Sequence, residues 1–210
     1  TCSYRAARSL FRSRPPQAVL AMGGFTSAPP ILAGRRTGAR TFIHESNTIP
    51  GRANRWLSWV VDQAFVGFPS ASGRLHGRRV AVSGTPVRPQ FRISDPASCR
   101  TALGLDPSRP VLLIMGGSQG ASAVNELVIR SLPVLANRAP NLQWLHLAGR
   151  GNVEKVTRAY AALALRAVVH PFFPRMELAL GAATAAVCRA GASSLAELAA
   201  MRVPAVLVPY

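Results

Sequence analysis

Short apolar runs, each closed by glycine or a polar turn and followed by an amphipathic stretch, recur along this chain. Residues 18–22 read as a buried strand that Gly23-Gly24 ends, and residues 40–44 as a second strand. A polar turn over 47–51 leads from the second strand into a helix near 52–61, and 63–66 and 79–83 are two further strand candidates. The same rhythm resumes later. A strand over 110–115, a glycine turn over 116–120 and a helix over 122–135 are followed by a strand at 142–148 and a helix at 153–165. Strands at 167–170 and 183–188, a helix at 194–201 and a final strand at 205–208 close the pattern. Strands alternating with helices predict parallel sheets layered with helices.

The pattern breaks where Pro86, Pro89, Pro96 and Pro107 crowd together with Ser94, Asp95 and Ser98. Such punctuation predicts a linker holding at most a short helix. The expectation is therefore α/β, with two Rossmann-like domains at residues 1–92 and 110–210, a linker at 93–109, and both sheets incomplete at their outer ends. The chain starts at Thr1 rather than Met, which reads as a fragment.

Composition narrows the class. With 49% hydrophobic residues the chain can build cores rather than stay disordered. No apolar run approaches the roughly 18 residues of a membrane span, and Arg5, Arg8, Arg12 and Arg14 interrupt any signal-peptide pattern. Cys2, Cys99 and Cys188 are odd in number and form no CxxC, which argues against a disulfide framework or a zinc site and favours a reducing cytoplasm. The net charge of +17 is almost entirely arginine, since Lys155 is the only lysine. That bias follows either from codon usage or from attraction to an anionic surface. Nucleic acid is not expected as a partner: the arginines are dispersed and no basic–aromatic module appears.

Four turns could carry chemistry. Met115-Gly116-Gly117-Ser118-Gln119-Gly120-Ala121 joins a strand to a helix. There the free N–H groups and the helix dipole favour a phosphate. It lacks the lysine of a P-loop and the spacing of a dinucleotide fingerprint, which demotes ATP hydrolysis and NAD chemistry. A second turn runs from Cys188-Arg189-Ala190-Gly191 through Ala192, Ser193, Ser194, Leu195 and Ala196 to Glu197. Ser194 and Glu197 have capping-box spacing; equally, the two oxygens of Glu197 suit the vicinal hydroxyls of a ribose. In His44-Glu45-Ser46-Asn47, adjacent strand residues face opposite ways, so His44 and Glu45 are not a pair and His44 reads as structural. Asn47 either caps the next helix or bonds a sugar. Arg88, after Gly84-Thr85-Pro86-Val87, is either one exposed arginine among many or the counter-charge of a diphosphate.

In order and spacing, these segments together with Met22-Gly23-Gly24-Phe25 resemble the MurG family, UDP-N-acetylglucosamine transferases of peptidoglycan synthesis. The resemblance implies a GT-B fold with its active site between two domains. It also implies inverting transfer of N-acetylglucosamine from UDP-N-acetylglucosamine to undecaprenyl-diphosphate-linked muramoyl-peptide, without metal or cofactor. By the resemblance, Asn47 meets the sugar or acceptor side, and Arg88 and Ser118 bind the nucleotide. The main chain of Phe173, in Pro171-Phe172-Phe173-Pro174, recognises uracil. Ala192, Ser193, Ser194, Leu195, Ala196 and Glu197 surround the diphosphate and ribose, with Glu197 on the ribose. Ser46, Thr85 and the Ala192-Ser193-Ser194 turn depart from the usual family residues, all small changes. The family's general-base His, on an upstream glycine loop, and a sugar-contacting glutamine fall outside the chain. The chain alone is thus expected to bind UDP without turnover, its catalytic base unknown. The implied location is the cytoplasmic face of the bacterial plasma membrane, peripheral, with anionic lipid drawn to the arginines beside Leu10 and Phe11. A GT-B transferase with another acceptor, or a non-catalytic UDP-sugar-binding module, are the competing readings.

Overall fold

The computed structural model describes residues 2–76, 79–116 and 122–209, and the chain divides into two compact units, Thr1–Pro86 and Val87–Tyr210. The first unit runs α1 (Cys2–Ser13), β1 (Ala18–Ala21), α2 (Ala28–Arg36), β2 (Arg40–Glu45), α3 (Arg52–Leu57), β3 (Gln63–Val66), α4 (Pro69–Ser72) and β4 (Val80–Val82). Its strands pair in sequence order and all in parallel, with Ala18 opposite Arg40 and Phe42 opposite Gln63. Helix α2 was not among the expected elements, and its sequence holds Pro29-Pro30. Both prolines sit in the helix's first turn, where the missing N–H has no helical acceptor to lose. Gly34 lets this helix approach β1: a Cβ there would stand 2.6 Å from a methyl of Val19. Ile31 of α2 packs with Ile43, Leu57 and Val66 in the unit's core.

The second unit runs α5 (Pro96–Ala102), β5 (Val111–Met115), α6 (Ser122–Arg138), β6 (Gln143–Leu147), α7 (Val153–Ala161), β7 (Ala167–His170), α8 (Met176–Ala182), β8 (Ala185–Arg189), α9 (Ala192–Ala200) and β9 (Ala205–Val208). The strands are parallel in the order β7-β6-β5-β8-β9. Pleating sorts their side chains into two cores. Leu113, Met115, Leu145, Leu147, Ala186 and Cys188 face α8 and α9, burying Leu180 and Leu198. Ile114 and Trp144 face α6 and α7, burying Val124, Val128, Leu132 and Tyr160.

The stretch expected to be a linker folds onto this second unit. Leu105 enters its core and Cys99 is buried, and Phe91, expected with the first domain, enters the same core. Asp95 caps α5 by accepting from Ser98 N at 2.9 Å, and Pro96 takes the first helical position. The Arg100 guanidinium ties the segment down, donating to Ala182 O at 3.0 Å and Thr184 Oγ1 at 3.1 Å. The short helix that the expectation allowed for here is α5. Among the described residues no helix is long and apolar enough to cross a membrane.

Candidate functional site

Strand order decides where the second unit can hold a ligand. The chain lays down β5, moves outward to β6 and β7, then returns to place β8 and β9 on the other side. After β5 it enters α6 on one face, and after β8 it enters α9 on the other. The crevice at the carboxyl ends of two such diverging strands is where open α/β sheets bind ligands. A pocket of about 260 Å³ lies there. Met115 and Leu147 form its floor from the ends of β5 and β6, residues 171–174 and Met176 its wall, and Ser194, Glu197 and Arg88 its polar side.

Helix α9 begins earlier than the sequence pattern suggests. Gly191, in extended backbone, is the N-cap, and no side chain bonds to the helix end. The first helical bond runs from Leu195 N to Gly191 O at 2.9 Å. The N–H groups of Ala192, Ser193 and Ser194 precede it, so they belong to the unpaired first turn that attracts anions. The capping box does not form: Ser194 is already inside the helix, and Glu197, one turn on, lines the pocket. Burial raises the Glu197 carboxyl above its ordinary value, and Arg88 counters this only in part. Arg88 Nη2 stands 3.9 Å from Glu197 Oε1, and its guanidinium lies over the Phe91 ring at 4.9 Å. At the wall, His170 stacks on half-buried Phe173 at 5.2 Å between centroids, steadying the main chain that follows β7.

One pocket thus gathers Arg88, Phe173, Ser194 and Glu197, with Ala192, Ser193, Leu195 and Ala196 on the adjoining helix. Ser118 lies outside the described residues. Asn47 is exposed on the first unit, just past the end of β2. There Gly23 and Gly24 take φ of +102° and +82°, backbone that suits glycine. His44 is structural: Nε2 meets Gly84 O at 2.9 Å, so it carries the proton, and Nδ1 accepts from the Ser46 hydroxyl at 3.2 Å. Sequence reasoning did not single out Leu147 or Met176, which look like ordinary core residues until they meet at the pocket. It also missed Glu45, whose partners are described below.

These features define the class: an α/β protein of the GT-B type, whose second unit presents a pocket at a parallel-sheet switch point. The glycosyltransferase family 28 N-terminal domain matches residues 2–66, and the family 28 C-terminal domain matches residues 111–210. The chain belongs to glycosyltransferase family 28. It is 41% identical over 209 residues to a UDP-N-acetylglucosamine–N-acetylmuramyl-(pentapeptide) pyrophosphoryl-undecaprenol N-acetylglucosamine transferase of Chlorobium luteolum, covering 99% of the chain and 55% of the relative. A relative of the same name from Desulforudis audaxviator is 36% identical over 212 residues, covering 98% of the chain and 57% of the relative. The crystal structure of Acinetobacter baumannii MurG superposes with a TM-score of 0.72 at 30% identity, covering 99% of this chain and 56% of that one. The chain spans about half the length of the curated relatives it matches.

Proposed function

We propose that the chain binds UDP-N-acetylglucosamine and serves inverting transfer of its N-acetylglucosamine to an undecaprenyl-diphosphate-linked muramoyl-peptide. The observation that carries the nucleotide half is the convergence of Glu197, Arg88 and the free first turn of α9 on one pocket. Glu197 takes the ribose hydroxyls. The N–H groups of Ala192, Ser193 and Ser194, with Arg88 and Ser118, take the diphosphate, and the main chain at Phe173 takes the uracil. Leu195 and Ala196 complete the helical turn that places Glu197, and Asn47 meets the sugar or acceptor side. Stabilising a departing diphosphate by helix N–H groups and a guanidinium is electrostatic work that needs no protein-bound metal. The names of the relatives favour transfer to the lipid-linked acceptor over a different acceptor or over binding alone. Calorimetry of this chain with UDP, UDP-N-acetylglucosamine and UDP-glucose tests the reading. Binding of UDP with preference for the acetylated sugar is expected; absence of UDP binding overturns it.

The same reading places the protein peripherally on the cytoplasmic face of the plasma membrane, against anionic lipid. Helix α1 supports this. Arg5, Arg12 and Arg14 are exposed on and just after it, and Leu10 is 55% exposed among them. The first unit carries only two acids, Glu45 and Asp62, to set against this charge. A basic surface with an apolar residue among its charges suits an anionic interface. Sedimentation with vesicles should show binding that rises with anionic lipid and falls with salt; equal binding to neutral vesicles contradicts the electrostatic contact.

A further inference from the structure

Glu45 ends β2 as a carboxylate that is only 3% exposed, and nothing in the proposed chemistry accounts for it. Its oxygens are evenly used. Oε1 accepts from the backbone N of Asn47 at 2.9 Å and from Asn47 Nδ2 at 3.0 Å. Oε2 accepts from Gly51 N at 2.9 Å and from Asn54 Nδ2 at 3.0 Å. Asn54 is itself buried, and its amide also reaches His44 O at 3.2 Å. An ionised carboxylate has about four acceptor positions, and all four are taken. Glu45 therefore has no lone pair left with which to take a proton from substrate. It acts instead as the clasp of the loop from Asn47 to Gly51.

The clasp also determines how Asn47 presents itself. A carboxylate only accepts, so the Asn47 amide must turn its NH₂ toward Glu45. One N–H of that NH₂ is taken up by Glu45, and Oδ1 is the acceptor that this exposed side chain can offer outward. We propose that Glu45 is a positioning residue that locks the Asn47 amide with its oxygen outward, so that the substrate group met by Asn47 is a hydrogen-bond donor, a hydroxyl or an amide N–H. This rests on the reading above that Asn47 meets substrate. Glutamine at position 45 has the same size but keeps one acceptor oxygen for four N–H donors, and its NH₂ faces the other pair, so the clasp opens on one side and no longer fixes the loop.

Two measurements separate the clasp from the substrate contact. In the ¹⁵N-labelled chain without ligand, the Asn47 side-chain NH₂ should exchange about tenfold more slowly than an unbonded amide, and Glu45→Gln should abolish that protection. In calorimetry, the gain in affinity for UDP-N-acetylglucosamine over UDP should fall about tenfold in Asn47→Ala and equally in Glu45→Gln, as for one lost hydrogen bond. Affinity for UDP itself should stay within about twofold in both variants, because no contact to the nucleotide is removed. Should Glu45→Gln fail to fold, Asn47→Asp serves. It sets a second carboxylate against Glu45 and should lose the same gain. Free exchange of the Asn47 amide in the unaltered chain overturns the clasp. A gain that survives Glu45→Gln or Asn47→Asp overturns the positioning role. Failure of the unaltered chain to bind UDP sinks the nucleotide reading, while the amide exchange still reports on the clasp.

Discussion

Between pH 6.5 and 4 the second unit should lose about 3 kcal/mol of stability from His146 alone, given the change in its proton affinity on folding. His146 lies on β6, wholly buried between α6 and α7. Its Nε2 stands 3.0 Å from Asn125 Oδ1 and its Nδ1 3.0 Å from the Tyr160 hydroxyl. Asn125 in turn donates to Ala148 O at 2.8 Å. The Asn125 oxygen must accept, so Nε2 carries the proton and Nδ1 accepts from Tyr160. The chain of bonds fits a neutral imidazole. Burial drives the His146 value down to about 4 from the ordinary 6.5, and the same burial raises Tyr160. The unfolded chain thus binds a proton between those limits that the folded chain refuses. Stability is full above about pH 6.5 and drains away as pH falls toward 4.

Glu197 works the other way. Its raised carboxyl favours the folded state as pH falls through its own titration, so it offsets part of the loss. Asp95, Asp106 and Glu126 of the same unit are lowered, so their contributions are lost as pH falls from the ordinary carboxylate range through those lowered values. Urea unfolding at several pH values, repeated for His146→Gln, isolates the histidine. The variant should be weaker at pH 7 and show a flatter slope between pH 6.5 and 4. An unchanged slope would mean that His146 does not carry the effect.

Replacing Glu197 with alanine should weaken UDP binding about a hundredfold, because two charge-assisted hydrogen bonds to the ribose are lost at about 1.5 kcal/mol each. Glutamine at this position keeps one acceptor oxygen and should cost about tenfold. The ion pair with Arg88 is long and half in water, so its own loss contributes little. Only the ionised carboxylate accepts from both hydroxyls, and burial lifts its titration above the ordinary carboxylate range. UDP affinity should therefore begin to fall at a higher pH than an ordinary glutamate would set, and in Glu197→Ala that dependence should vanish. Calorimetry across pH 8 to 5 reads both effects. Equal affinity of Glu197→Ala and the unaltered chain would remove the ribose assignment.

The strands were the most legible part of the fold. Residues 63–66, 167–170 and 205–208 are strands at the expected bounds, since a short apolar run between turn residues has few other ways to bury itself. Helix α2 and the start of α9 were not legible, for one shared reason. Proline and glycine punctuate a linear pattern, yet Pro29 and Pro30 sit in the first turn of α2 and Gly191 caps α9. The segment with Asp95 and Pro96 holds the short helix allowed for it, but its attachment was not legible, because it depends on Arg100 reaching residues 182 and 184, far along the chain.

Taken alone, the sequence determined the α/β class, the parallel layering, the glycine turns and the family resemblance, because each is written in local periodicity and the order of short segments. Tertiary structure alone decided which of those residues work together. Strand order brings Arg88 and Glu197 within 3.9 Å although four of the sheet's five strands are threaded between them. Saturation of its four acceptor positions makes Glu45 a clasp rather than a base. Burial makes His146 a neutral link in a hydrogen-bond chain. Side-chain partners across the fold are set by packing over long sequence separations, and periodicity carries no record of them.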